Sequence, residues 1–306
     1  MKNVLLKNNL MSQGKISKTL VNIPNRGFLE YNYQFTKALS QDRIHYNEIY
    51  FNKSMPTDST VLNYKGVRFN MIACPAGGEV NIEEWGVQEI KEPSMLSETE
   101  VTQELFEAAM EFNYSNFKKS NKNPVENVTW YDCLEFCNRL SGYFGFGNRY
   151  VLSDKKFTNN DYPLSIEDAN VTFVEWANGF CLPKEWEWQI AAMAGTSNLY
   201  AGANDDESLK RVAWFKDNSG RLLDGEIVDQ KTHPVAQKMP NEWGFYDMSG
   251  NVLEWCENAI PSFQIAINVR GGCYSSDASN VRSAFCLYYY NMVRGSNIGF
   301  RIARSI

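Results

Sequence analysis

The stretch from Arg270 to Ile306 puts the tightest constraint on what this chain can fold into. It reads RGGCYSSDASNVRSAFCLYYYNMVRGSNIGFRIARSI and holds three anchors: Arg270-Gly271-Gly272, Arg282, and Ile298-Gly299-Phe300-Arg301. Between the anchors lie small polar residues and the aromatic run Tyr288-Tyr289-Tyr290. They follow neither the two-residue period of a half-buried strand nor the 3.6-residue period of an amphipathic helix. Tyr, Ser, Asn, Asp and Gly instead give the composition of a recognition surface. Tyr offers contact area at low entropic cost, and Ser and Asn offer adaptable hydrogen bonds. The rest of the chain must therefore supply a scaffold that buries the anchors and presents the residues between them.

Composition narrows the partner. The net charge is −6, which argues against nucleic acid, because phosphate contacts need a basic face. The expected partner is a protein or other surface ligand. No apolar run approaches the roughly 18 residues of a membrane span. The first residues, MKNVLLKNNLMSQGK, show only a short apolar patch at Val4–Leu6, too short for a secretory leader. There are two histidines, His45 and His233, too few for a histidine-based metal centre. Cys133 and Cys137 lie one helical turn apart and read as small buried hydrophobes.

Residues 1–64, rich in Asn and Lys, read as an N-terminal extension, with a short helix at Tyr31–Ser40. Residues 65–306 read as the main domain, with 270–306 as its ligand-binding region. Val67–Cys74 reads as a strand closed by a Pro-Ala-Gly-Gly turn. Ser97, with Glu98 and Glu100 behind it, reads as the cap of a helix whose face carries Val101, Leu105, Ala108 and Ala109. Thr129 caps a second helix, from Trp130 to about Gly142, that buries Cys133, Leu134, Phe136, Cys137 and Leu140. Leu182-Pro183 opens a third, ending at Gly195, with a buried stripe of Trp186, Ile190 and Met193. Residues 143–176 and 196–240 read as long polar connections, and NEWGFYDMSGNVLEWCEN as a glycine-rich turn followed by a short strand. The class is α+β, with short elements and long ordered loops. No nucleotide-binding glycine motif is present.

The blocks MIACPAGG, ETEVTQELFEAAM, NPVENVTWYDCLEFCNRLS, FCLPKEWEWQIAAMAG, AWFKDNSG, PVAQKMPNEWGFYDMSGNVLEW, RGG and IGFRIA occur in this order. In sequence and order they resemble the formylglycine-generating enzyme (sulfatase-modifying factor) family, from about Val67 to Ile306. The resemblance implies a C-type-lectin-like fold. Its enzymes use two cysteines in the pattern RGG-S-x-x-C-x(4)-C. The matching positions here are Ser276 and Val281, and Cys273 and Cys286 fall off the pattern. Neither Ser nor Val can form the thiolate that copper binding and the redox chemistry require. The expectation is a non-enzymatic member, with an oxidase relative as the alternative. The resemblance also implies a structural calcium ion, held by the side chains of Asp247 and Glu254 and the carbonyls of Gly250 and Val252.

The C-terminal segment further resembles the variable region of proteins diversified by diversity-generating retroelements, whose template runs RGGSW, an Asn-rich run, CRSAYR, a second Asn-rich run and IGFR. Adenine-directed change of an AAC codon yields Ser, Asp, Tyr, Leu, Val and Gly, largely the set found at the Asn-rich positions here. Tyr274, Val281 and Cys286 depart from the template's Trp, Cys and Arg. This resemblance implies a diversified ligand-binding face, multivalent in display, on a cell surface or a phage tail. Its residues are Tyr274, Ser275, Ser276, Asp277, Ser279, Asn280, Phe285, Leu287, Tyr288, Tyr289, Tyr290, Met292, Val293, Gly295, Ser296 and Asn297. The other alternative is a non-catalytic member whose surface is not diversified.

Overall fold

The computed structural model describes residues 59–306 apart from 75–78, 83–85, 90–92, 158–160, 261–262 and 306. It also gives the backbone of three strands, Ser17–Ile23, Gly27–Gln34 and Glu48–Phe51, which pair antiparallel in that order. Tyr31–Gln34 is thus strand, not helix. EYNYQ alternates polar and aromatic residues, a two-residue period that the helical reading overlooked. Residues 35–40 of that expected helix lie outside the described residues.

Two sheets organise the described domain. The first has five antiparallel strands in the order Phe180–Cys181, Ala303–Ser305, Ser94–Ser97, Val67–Cys74 and Ser59–Tyr64. Its last strand moves the expected domain boundary. Ser59–Tyr64 pairs along its whole length with Val67–Cys74, and Tyr64 is buried with its ring 4.5 Å from that of Tyr143. The domain therefore begins before residue 65. The second sheet runs Cys286–Tyr290, Phe263–Arg270, Leu253–Ile260 and Ile298–Gly299, with only the last pairing parallel. The C-terminal segment thus supplies both outer strands of the second sheet and an inner strand of the first.

Helix α1 (Gln103–Met110) is capped by the Thr102 side chain, which accepts from the Leu105 N–H. Ser97, the expected cap, lies in a strand and donates its hydroxyl to the Thr99 carbonyl. Helix α2 (Trp130–Phe144) starts at Thr129 in a capping box with Asp132 and stops at Gly145, where the backbone turns left-handed. Cys133 and Cys137 are fully buried on its core face, as their spacing suggested. Phe106 of α1, Phe136 of α2 and Phe300 of the terminal anchor meet with ring centroids 5.2–6.2 Å apart, mostly edge to face, and join the anchor to the core.

Helix α3 (Glu185–Met193) keeps the expected period but turns a different face inward. Glu185, Trp188, Gln189 and Ala192 are buried, while Trp186, Ile190 and Met193 are only half-buried. Buried polar partners select that face: Glu185 pairs with Arg270, and Trp188 donates to Glu254. The polar connections also carry more structure than their composition indicated. Tyr150–Phe157 pairs with Ile166–Phe173, and helix α4 (Asp206–Val212) and a hairpin at Arg221–Leu223 and Glu226–Val228 lie within residues 196–240.

Thr129 also donates to the Ile166 carbonyl at 2.8 Å, so it joins α2 to that hairpin. Thr129→Ala should cost about 1–2 kcal/mol by denaturant melt, while Ser, which keeps the hydroxyl, should recover most of it.

Candidate functional site

The anchors are held by two buried ion pairs. Arg270 is 2% exposed and pairs with Glu185 of α3, whose other oxygen accepts from Asn268. Its Nη1 reaches the carbonyls of Ala284 and Phe285 at 3.0 and 3.3 Å, while its Nε is buried without a partner among the described residues. One side chain thus fixes the backbone that enters the Cys286–Tyr290 strand. Gly272 lets the chain turn sharply. Its φ is +69°, and an added Cβ would fall 2.3 Å from the Asn280 carbonyl oxygen.

Arg301 makes a bidentate pair with Glu254 at 2.6 and 2.7 Å, and both residues are fully buried. Its bonds do not run to the surface loop. Instead it donates to the carbonyls of Ser97 and Tyr246, both at 3.0 Å, and so binds the second sheet to the first. Arg282, the middle anchor, was expected to be buried but is exposed. Its neighbours Val281 and Ser283 are buried, and Val281 packs in a small cluster with Tyr200, Leu209 and Phe215.

The segment between Cys273 and Phe285 lies against neighbouring loops. Tyr274 N–H bonds the Asn251 carbonyl at 2.9 Å, and Lys216 N–H bonds the Ser276 carbonyl at 3.1 Å. Lys216 also pairs with Asp277 at 2.7 Å, and Ser283 N–H bonds the Leu199 carbonyl at 2.9 Å. On the far side, Arg294 reaches Ser165 at 2.7 Å and lies over the Tyr162 ring. Leu199 and Leu164 are exposed beside these contacts. Sequence reasoning had no signal for them, because both fall in stretches read as plain connection.

The expected face residues divide into three groups. Ser275, Asp277, Ser279, Leu287, Tyr288, Tyr290 and Met292 are exposed, Tyr288 at 64% and Tyr290 at 59%. Ser276, Asn280, Phe285, Tyr289, Val293, Gly295, Ser296 and Asn297 are half-buried, and the Tyr289 ring stands edge-on to Trp255. Tyr274 is a correction: it is buried, edge-on to Phe117 at 5.3 Å, with its hydroxyl 3.1 Å from that of Ser296. It supports the face from beneath. Cys273 is also buried, its sulfur 3.3 Å from the hydroxyls of Ser275 and Ser276.

Asp247 and Glu254, the expected calcium ligands, lie in one buried cluster with Glu100 and Arg301. Glu254 has neither oxygen to spare, since Arg301 takes both and Trp188 N–H bonds one at 2.6 Å. Asp247 accepts from Ala236 N–H at 2.8 Å on one oxygen, and the other is buried without a partner. Burial pushes the Asp247 carboxyl up to about 6. Burial and then the charge of Asp247 push Glu100 upward as well. Among the described residues, no group of three or more His, Cys, Asp or Glu side chains is placed to hold a metal ion. With Arg301 in place, Glu254 has no oxygen free for a cation, and the guanidinium supplies the positive charge beside it. Chelator treatment should leave the melting temperature unchanged, whereas Arg301→Met should cost about 3–5 kcal/mol by stranding a buried carboxylate.

Comparison with known proteins agrees with this architecture. Treponema denticola variable protein 1 superposes with a TM-score of 0.69 and 29% identity, over 82% of this chain and 100% of that one. Chaperone protein LppX of Paenibacillus barcinonensis is 34% identical over 230 residues, 69% of this chain and 79% of that protein. The inactive C-alpha-formylglycine-generating enzyme 2 of Mus musculus is 29% identical over 154 residues, 44% of this chain and 49% of that protein. Among the described residues no helix is long and apolar enough to cross a membrane. Residues 70–306 match the sulfatase-modifying factor enzyme 1-like domain, and the chain belongs to that family, with its C-type-lectin-like fold.

Proposed function

We propose that this chain is a non-catalytic, ligand-recognising member of its family, and that the surface between Ser275 and Asn297 is its recognition face. The observation that carries this reading is the contrast between the strand's backbone and its side chains. Leu287, Tyr288, Tyr290 and Met292 are exposed on a segment whose entry is pinned by the buried Arg270 and whose exit is fixed by the buried Ile298–Arg301. Side chains here can change without disturbing the core, which is what a diversified face requires. The likeness to a variable protein supports retroelement diversification of the segment.

The oxidase alternative lacks its chemistry at the matching positions. Ser276 carries a hydroxyl that accepts from Cys273 N–H at 3.0 Å, and Val281 is packed in a core cluster. The protein should therefore produce no aldehyde from a cysteine-containing sulfatase peptide supplied with copper and oxygen, as read by mass spectrometry.

Joint replacement of Tyr288, Tyr290 and Met292 by Ala should leave the melting temperature within a few degrees, since all three are exposed. The same change should weaken capture of a ligand selected on the wild-type face by at least about tenfold, as expected for aromatic anchors. Unchanged capture would place recognition elsewhere. Diversification is tested in the flanking DNA, which should hold a reverse-transcriptase gene and a near-copy of this segment differing mainly at adenines.

A further inference from the structure

The recognition face presents backbone as well as side chains. Cys286–Tyr290 is the outer strand of its sheet, and among the described residues no strand pairs with its outer side. Its inner side pairs with Phe263–Arg270 over five residues without a bulge, from Arg270↔Cys286 to Ala266↔Tyr290. In an antiparallel edge strand, every second residue turns its N–H and C=O away from the partner. Folded proteins usually guard such an edge with lysine, proline, a bulge or a very short strand. CLYYY carries no lysine or proline, and its exposed side chains are apolar or aromatic.

The charges at its ends are also one-sided. Arg282 precedes the strand and Arg294 follows it, and among the described residues neither makes a carboxylate ion pair. The nearby Asp277 and Asp168 are already paired with Lys216 and Lys156. Arg294 lies near the buried Asp132 through Ser165, and Arg282 near the Tyr200 hydroxyl that bonds Asp206, so each has an acidic neighbour, but both ends of the strand carry a guanidinium that is bonded to no carboxylate among the described residues.

We propose that the Cys286–Tyr290 edge accepts an extended segment of a partner polypeptide as an added strand, one with an apolar centre flanked by acidic side chains. This rests on the reading of the face as a recognition surface and gives its partner a chemistry. Main-chain pairing supplies affinity that does not depend on which side chains occupy positions 287–290, while those side chains choose among partners. Such a division suits a face whose side chains vary. A second copy of this chain is a poor occupant. Antiparallel pairing of two such edges would set Arg282 of each copy near Arg294 of the other, and like charges placed opposite each other repel.

Cys286 allows a direct test, because a synthetic Cys286–Ile306 segment can be joined there by native ligation. Two proteins would be made, one N-methylated at Tyr288 and one at Tyr289. One of these amides faces Phe263–Arg270, and its methylation should lower the melting temperature. The other faces outward and should leave it unchanged. The probes are free linear peptides selected from a random displayed library on the unmodified chain.

The selected peptides should share an acidic–apolar–acidic pattern. They should slow hydrogen exchange at the outward amide, and they should lose about tenfold or more in affinity for the outward-methylated protein. Affinity for that protein within twofold of the unmodified chain overturns the proposal, as does a selection that yields no peptide binder. Light scattering that shows a dimer dissolved by outward methylation also overturns it, in favour of a second copy. If the alanine replacements abolish binding while outward methylation does not, the recognition face stands and strand addition falls.

Discussion

The Glu254–Arg301 pair is the interaction on which the rest of this molecule depends. Each partner is fully buried, and each is useless without the other, since an unpaired charge in such a setting costs several kcal/mol. The pair comes from the second sheet and the terminal anchor. The arginine's remaining N–H groups reach carbonyls at Ser97 and Tyr246, at the first sheet and on the loop before the second. Trp188 brings α3 to the same carboxylate. Three parts of the fold thus share one electrostatic centre, with two further buried carboxylates, Glu100 and Asp247, held beside it. Those two are held by donors, Glu100 by Asn251 and the Val252 N–H and Asp247 by the Ala236 N–H, and both feel the charge of Arg301.

The second clamp, Glu185–Arg270, does for the surface what the first does for the interior. It lies directly beneath the strand that carries the exposed tyrosines and spends its spare hydrogen bonds on the backbone leading into it. Precision in the face therefore comes from side chains that do not appear on it. Tyr274 and Val281 contribute in the same way, one supporting Ser296 from below and the other filling the cluster under the turn.

Much of this could be read from the residues, and the misses share a cause. The strand at Val67–Cys74 and helix α2 with its Thr129 cap were legible because local chemistry decides them: an apolar run before a turn, and a capping box. The inward face of α3 was not legible. Its period admits either stripe, and the choice belongs to Arg270 and Glu254, distant in sequence. Tyr274 looked like a surface aromatic because its neighbours are Ser and Asp, yet its environment is set by Phe117 and Ser296. The partner of Glu254 was hidden for a related reason: the carboxylate pattern is written locally, but the guanidinium that takes both its oxygens arrives from Arg301. The hairpin at Tyr150–Phe157 and Ile166–Phe173 was missed because both strands are largely solvent-facing, which leaves no hydrophobic alternation to find.

The threading of the terminal segment through both sheets has a consequence for damaged messages. A premature stop between Arg270 and Ile298 removes Ala303–Ser305 from between Phe180–Cys181 and Ser94–Ser97, and takes Ile298–Gly299 and Arg301 with it. Two strands are left without the neighbour that joins them, and Glu254 without its counter-charge. A chain cut short there lacks both the strand that joins the halves of the first sheet and the charge that neutralises Glu254.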